Sequence, residues 1–150
     1  MPDVDFRIWG ESVMDSRYRH VPQNVILIGT YGHISEIPLA EADVWLYTSS
    51  WDGVPSQLLE VAMTGIPIVG TLVGGTREVL SEADAWPVDE NAEAEAYVDA
   101  IRAVLADPAE SRRRARALRD RMLGERTRQA FAEQAAELLL NPDRSAVGAG

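Results

Sequence analysis

The residues best placed to do chemistry are two carboxylates, Asp52 and Glu60, in the stretch Ser-Ser-Trp-Asp-Gly-Val-Pro-Ser-Gln-Leu-Leu-Glu that runs from Ser49 to Glu60. Between them lie Gly53, Pro55 and Ser56, then an apolar run with helical spacing. A helix beginning at Pro55 or Ser56 puts Glu60 one turn in, where a vicinal diol such as that of ribose can give both its O–H groups to one carboxylate. The apolar neighbours Leu59, Val61, Ala62 and Met63 predict partial desolvation of Glu60; the alternative is an ordinary exposed helical glutamate. Asp52, just before Gly53, can accept from sugar hydroxyls or balance positive charge forming on a sugar ring. Equally, it can be a turn residue or cap. Ser56, Gln57 and Leu58 bring free backbone N–H groups to the helix start, which suit an anion such as a diphosphate. Gln57 adds a side-chain donor.

Two further loops carry candidate groups. Val73-Gly74-Gly75-Thr76-Arg77-Glu78 follows an apolar run and opens a helix, so Gly74, Gly75 and Thr76 form a second candidate anion nest. Arg77 is placed either to neutralise phosphate or to pair with Glu78 or Asp84. In Gly29-Thr30-Tyr31-Gly32-His33, the aromatic Tyr31 and a flexible backbone suit the flank of a nucleobase. His33 is either a general base or an exposed loop histidine.

These groups need a scaffold, and the chain alternates strand and helix signals. Strands are expected at Phe6–Trp9, Val25–Ile28, Val44–Thr48, Ile66–Thr71 and Ala85–Val88. The last is an edge strand, because Pro87 cannot donate to a ladder. The runs are apolar throughout, as in parallel strands covered on both faces. A helix from Pro55–Ser56 to Gly65 buries Leu58, Leu59, Ala62 and Met63. Another spans Thr76 to Ser81. Tyr97, Ile101, Val104 and Leu105 mark one amphipathic helix. Asp107-Pro108-Ala109-Glu110 starts the next, with Asp at the N-cap and Pro at N1, and Ala115, Leu118 and Met122 as its apolar side. A last helix runs from about Arg126 to Leu140, and 141–150 reads as a flexible tail. The fold class is α/β: a Rossmann-like open parallel sheet with helices on both faces and C-terminal helices, one domain over 6–140.

Composition narrows the function. The 150 residues suffice for one domain with a real core. Without cysteine there is no disulfide framework, thiolate metal site or cysteine nucleophile. With His20 and His33 as its only histidines, the chain offers no multi-His metal centre. The net charge of −10 argues against nucleic acid as a partner. All 14 basic residues are arginine, so no step can use a lysine of this chain. Eight of the arginines fall between Arg112 and Arg128; they read as a solvated helix face or as a docking surface for an acidic partner or membrane surface. No apolar run approaches ~20 residues, the length of a membrane-spanning helix. The acidic start is not that of a signal peptide, and a cytoplasmic location is expected.

From Ala42 to Leu80 the chain resembles the C-terminal nucleotide-sugar-binding domain of retaining glycosyltransferases of the GT-B fold, above all the family-4 group. That group carries a strand ADVFVLPS, a turn EGFG or EGLP, then LLEAMA, GTPVVA and VGG-x-x-E(V/I). Here the same places read ADVWLYTS, DGVP, LLEVAM, GIPIVG and VGGTREVL. Val25–Tyr31 is similar to the strand beside the base, and the likeness extends over roughly 6–106. The resemblance implies that Glu60 holds the ribose diol and Asp52 touches the donor sugar. It places Gly53 and the amides of Ser56, Gln57 and Leu58 against the diphosphate, and Tyr31 at the base. It implies a UDP- or GDP-linked donor, no metal and no other cofactor.

Two departures stand out. Asp52 replaces the family's usual Glu and is shorter by about 1.5 Å, one C–C bond. The domain's first strand and helix, its Gly-rich turn and its basic pair have no counterpart, nor does the N-terminal acceptor domain. The chain therefore reads either as a fragment or as a naturally short protein, with a sheet edge open to homo-oligomer pairing. The expected function is donor binding within a retaining hexosyltransferase, the isolated chain being inactive. The alternative is a non-catalytic nucleotide-sugar-binding or scaffold module that partners another chain. An epimerase of the GT-B fold is disfavoured because its hydrolytic site usually needs further acids and a His, and a phosphorylase because it would need a lysine for its pyridoxal cofactor, which this chain does not have.

Overall fold

A computed structural model of the chain describes residues 1–10, 21–53 and 55–140. Among the described residues five strands, β1 (Phe6–Trp9), β2 (Val25–Gly29), β3 (Trp45–Tyr47), β4 (Ile68–Leu72) and β5 (Trp86–Asp89), alternate with or precede four α-helices. The helices are α1 (Ser56–Ala62), α2 (Ala94–Ala106), α3 (Pro108–Glu125) and α4 (Arg128–Leu140). Residues 141–150, read from sequence as a tail, lie outside the described residues.

Every ladder is parallel. β4 lies between β3 and β5, with Leu46 opposite Val69 and Gly70 opposite Pro87. Pro87 thus falls on an edge strand, as its missing N–H requires. β1 pairs with β2, Phe6 opposite Val25, in a separate two-stranded sheet. The sheet expected to be continuous is therefore two sheets among the described residues. The apolar runs of all five strands look alike, and nothing in them specifies which edges meet.

Successive side chains of β4 point to opposite faces, and each face builds its own core. Ile68 packs with Tyr47, Leu58, Val61, Leu118 and Met122, the layer of α1 and α3. Val69 packs with Val88, Ile101 and Val104, the layer of α2. Helices thus cover both faces of the three-stranded sheet. The two-stranded sheet is barer: Ile8, Ile26, Leu27 and Ile28 are each more than two-fifths exposed. The expectation that every strand is covered on both faces fails there, because α1, α2 and α3 pack on β3, β4, β5 and one another.

The helices follow local chemistry, with three adjustments. The buried stripe of α1 is Leu58, Val61 and Ala62, while Leu59 and Met63 are only partly buried. In α2, Leu105 is exposed while Ile101 and Val104 carry the contact. The helix expected from Thr76 to Ser81 is a 3₁₀ turn at Gly74–Glu78. The turn ends at Glu78, and a bend closed by Ala85 N–H on the Ser81 carbonyl at 2.8 Å leads the chain into β5. At the start of α3, Asp107 accepts from the N–H groups of Ala109 and Glu110 at 3.1 and 3.0 Å, and Pro108 occupies the first turn, as the sequence indicates.

The arginine-rich α3 is more than a solvated face. Arg121 grips buried Asp84 through two nitrogens at 2.7 and 3.2 Å and donates to the Val79 carbonyl at 2.6 Å. Arg114 lies over the Trp86 ring, 4.9 Å from its centre, and Arg126 pairs with Glu78 at 3.1 Å. These contacts fasten α3 to segment 78–86. Asp84→Ala leaves Arg121 without its carboxylate in a site only a quarter open to solvent. A cost of about 2 kcal/mol follows, below the full buried-pair value because of that exposure. The Tm should fall by roughly 4–8 °C in a thermal melt.

Candidate functional site

Because β3 and β4 run parallel, the loops after them leave the same end of their sheet, and the hydrogen bond from Gln57 to Tyr31 brings the loop after β2 to that end. In open parallel sheets that carboxyl end is where ligands bind. It carries Tyr31, Asp52, Gly53, the start of α1, Gly74 and Gly75.

Asp52 is bonded through its side chain, and its main chain lies against the turn at Gly74–Gly75. The buried hydroxyl of Tyr47, the last residue of β3, donates to its Oδ2. The Gly75 N–H donates to the neighbouring Gly53 carbonyl at 2.9 Å. Gly74, at φ +49°, lies so close that a Cβ there would sit 1.9 Å from the Asp52 carbonyl oxygen. Glycine at 74 is thus demanded by this approach as well as by its left-handed backbone. Burial, reinforced by the bond to Asp52, raises the Tyr47 phenol from 10.0 to about 12. The folded-state value lies above the unfolded one, so this interaction supports the fold fully below pH 10 and is lost as pH rises through about 12.

Glu60 is exposed, and among the described residues its carboxylate has no hydrogen-bond or ion-pair partner. The expected desolvation does not occur. With Leu58, Val61 and Ala62 inward, a residue about 200° around the helix from Leu58 must face outward. Gln57, at the same helix start, donates from Nε2 to the Tyr31 hydroxyl, joining the loop after β2 to α1. So the structure brings Tyr31 to Gln57 and Asp52 to the Gly74–Gly75 turn.

Other expected site groups have structural work. Leu58 is fully buried and its N–H bonds to the Pro55 carbonyl at 3.0 Å, so of the three amides first considered for an anion only those of Ser56 and Gln57 head the helix. Two of the three amides of the expected anion nest at 74–76 are taken by protein. The Gly75 amide is taken by Gly53, and the Thr76 amide bonds to the Val73 carbonyl at 3.0 Å. Thr76 itself is fully buried, its hydroxyl accepting from the Val73 N–H at 2.8 Å and lying 2.8 Å from the Thr71 carbonyl. Arg77 meets Glu90 at 3.7 Å rather than Glu78 or Asp84. His33 caps the turn at Ile34–Glu36, its Nδ1 accepting from the Ser35 N–H at 3.2 Å. Among the described residues no cluster of acids and histidines is arranged to hold a metal.

The sequence reading missed Tyr47, which it placed only as a strand residue. Its one signal is position, at the carboxyl end of a strand five residues before the acid. A groove of about 660 Å³ opens at the other end of β3 and β4, lined by Ala42, Asp43, Gly65, Ile66, Leu105 and Arg112 among others. It lies at the amino ends of the strands, away from both acids. No helix among the described residues is long and apolar enough to cross a membrane.

Comparison with known proteins bears on the fold and the family. Among solved structures, Anabaena Alr3699/HepE in complex with UDP superposes with a TM-score of 0.77 at 17% identity, covering 93% of this chain and 41% of that one. TarM gives 0.72 at 16%, covering 90% and 28%. Among curated proteins, the N-acetyl-alpha-D-glucosaminyl L-malate synthase of Bacillus anthracis is 29% identical over 115 residues, 77% of this chain and 28% of the relative. The UDP-Gal:alpha-D-GlcNAc-diphosphoundecaprenol alpha-1,3-galactosyltransferase of Escherichia coli is also 29% identical over 115 residues, 71% of this chain and 29% of the relative. The chain thus spans less than a third of the length of these two relatives. The family model described as glycosyl transferases group 1 matches residues 16–122, well over half of the chain, and the protein belongs to that family.

Proposed function

We propose that the chain is the donor-binding half of a retaining glycosyltransferase and takes a nucleotide-diphosphate sugar at the carboxyl end of its parallel strands. The observation that carries this reading is that Tyr31 meets Gln57 at the start of α1, the helix that carries outward-facing Glu60 and follows Asp52, in a member of this family. Glu60 accepts the ribose diol, Asp52 a hydroxyl of the sugar, and the amides of Ser56 and Gln57 face the diphosphate. Tyr31 flanks the base. Leu58, Gly53, Gly74, Gly75 and Thr76 shape the loops rather than supply donors. UDP is the first nucleotide to test, since two neighbours were solved with UDP and with UDP-glucose.

Transfer needs more than this chain provides. β1 and β3 each have an edge that no described strand pairs, and the indole N–H of Trp45 in β3 is buried without an acceptor among the described residues. Both fit a domain completed by a further strand and helix and joined to an acceptor-binding half. That half also supplies the basic groups that stabilise the leaving diphosphate. The sugar then passes to an acceptor hydroxyl on the face from which the nucleotide departs.

Calorimetric titration with UDP, GDP and ADP tests the reading. Saturable binding of one of them at about 1 mM or below is expected, a free energy of about −4 kcal/mol or better. No binding of any of the three overturns it. A chain that binds, yet supports no transfer once an acceptor-binding half is supplied, is instead the non-catalytic module.

A further inference from the structure

We propose that Tyr47 is a positioning residue for the donor sugar: by donating to Oδ2 of Asp52 it fixes that carboxylate and leaves Oδ1 to receive a single sugar hydroxyl. The proposal rests on the nucleotide-sugar reading above and deepens it.

Three observations meet at this pair. First, Tyr47 is itself immobilised. Its backbone pairs with Gly70 in the ladder, its carbonyl accepts from the Thr71 hydroxyl at 3.2 Å, and its side chain is buried. Second, the main chain of Asp52 is fixed independently by the turn at Gly74–Gly75. With backbone and one carboxylate oxygen both tied, the side chain has little rotamer freedom left to lose on binding. Third, both partners depart from the sequence pattern this chain resembles. ADVFVLPS has Leu where this chain has Tyr47, and the EGFG or EGLP turn has Glu where it has Asp52. The structure puts the two departures in contact: the added hydroxyl stands against the shortened acid, so a phenol O–H and an aspartate fill the place of a leucine and a glutamate.

The chemistry follows. An unclamped carboxylate can take two hydroxyls of a sugar at once. Clamped by Tyr47, Asp52 keeps Oδ1 as its free oxygen for a charge-assisted bond from the sugar. Lengthening the acid alone drives its carboxylate into the Tyr47 hydroxyl.

The test compares the affinity of the chain for UDP-glucose with that for UDP, so that only the sugar's contribution is read. Tyr47→Phe keeps the ring and should lower the ratio at least about fivefold, the effect of losing a hydrogen bond to a charged group. Asp52→Glu alone should lower it more. Combining it with Tyr47→Leu should restore the ratio to about the wild-type value, a non-additivity expected only of groups in contact. Alkaline absorbance titration gives a second readout: Asp52→Asn should bring Tyr47 ionisation down from about 12. UDP binding with an unchanged ratio in Tyr47→Phe, or no recovery in the paired variant, overturns the clamp alone. If neither UDP nor UDP-glucose binds, the nucleotide-sugar reading fails and the clamp falls with it.

Discussion

Gly74→Ala should cripple donor binding and destabilise the fold together. The added methyl would stand 1.9 Å from the Asp52 carbonyl oxygen, and backbone cannot give as a flexible side chain can. Relief requires the loop at 51–53 to move by more than an ångström, breaking the Gly75-to-Gly53 bond at 2.9 Å. Overpacking of this kind costs about 1–3 kcal/mol, and the left-handed φ of +49° adds about 1 kcal/mol for alanine. A total near 3 kcal/mol should lower the Tm by roughly 6–12 °C. Because Asp52 moves with the loop, sugar-dependent affinity should fall about tenfold to a hundredfold, the effect of losing a hydrogen bond to a charged group. Thermal melts and calorimetry on the same sample check both halves. An unchanged Tm would mean that the turn at 73–76 is not braced as described.

Glu60→Gln should show the opposite profile, lost binding with an intact fold. The side chain is exposed and, among the described residues, unpartnered, so stability should stay within about 0.5 kcal/mol of wild type. The substitution keeps the shape of the group but removes the charge that makes it a strong acceptor for a diol. Hydrogen bonds to charged groups contribute about 1.5–3 kcal/mol, so affinity for the nucleotide should fall about tenfold to a hundredfold. The loss should be seen with UDP as well as UDP-glucose, since the ribose belongs to both. That separates Glu60 from Tyr47, whose effect appears only with the sugar. Full-strength nucleotide binding by the glutamine variant would remove Glu60 from the site.

Local chemistry was readable from sequence and contacts between distant residues were not. The bounds of β1, the edge position of Pro87 and the Asp107 cap each depend on a few neighbouring residues, and each matches. Glu60 shows a subtler case. The spacing of Leu58, Val61 and Ala62 already turns it outward, although its apolar neighbours in sequence suggested burial. What failed is non-local. Gly74 and Gly75 look like an anion nest until Asp52 is brought against them from more than 20 positions away. Arg121 looks like one charge of a solvated face until Asp84 lies beneath it, 37 residues away. The division into two sheets depends on which strand edges meet, and uniformly apolar strands carry no signal of that. At the site, the family motif marked the two acids but not Tyr47, because a phenol in a strand is ordinary core until its hydroxyl finds a carboxylate.

The central claim is that the donor occupies the carboxyl end of β2, β3 and β4. The most direct test follows backbone amide chemical shifts of the chain as UDP-glucose is added. Saturating shifts should cluster at Tyr31, Gly32, Asp52, Gly53, Ser56, Gln57 and Glu60. Shifts confined to the groove at the opposite end, around Ala42, Gly65, Leu105 and Arg112, would contradict it.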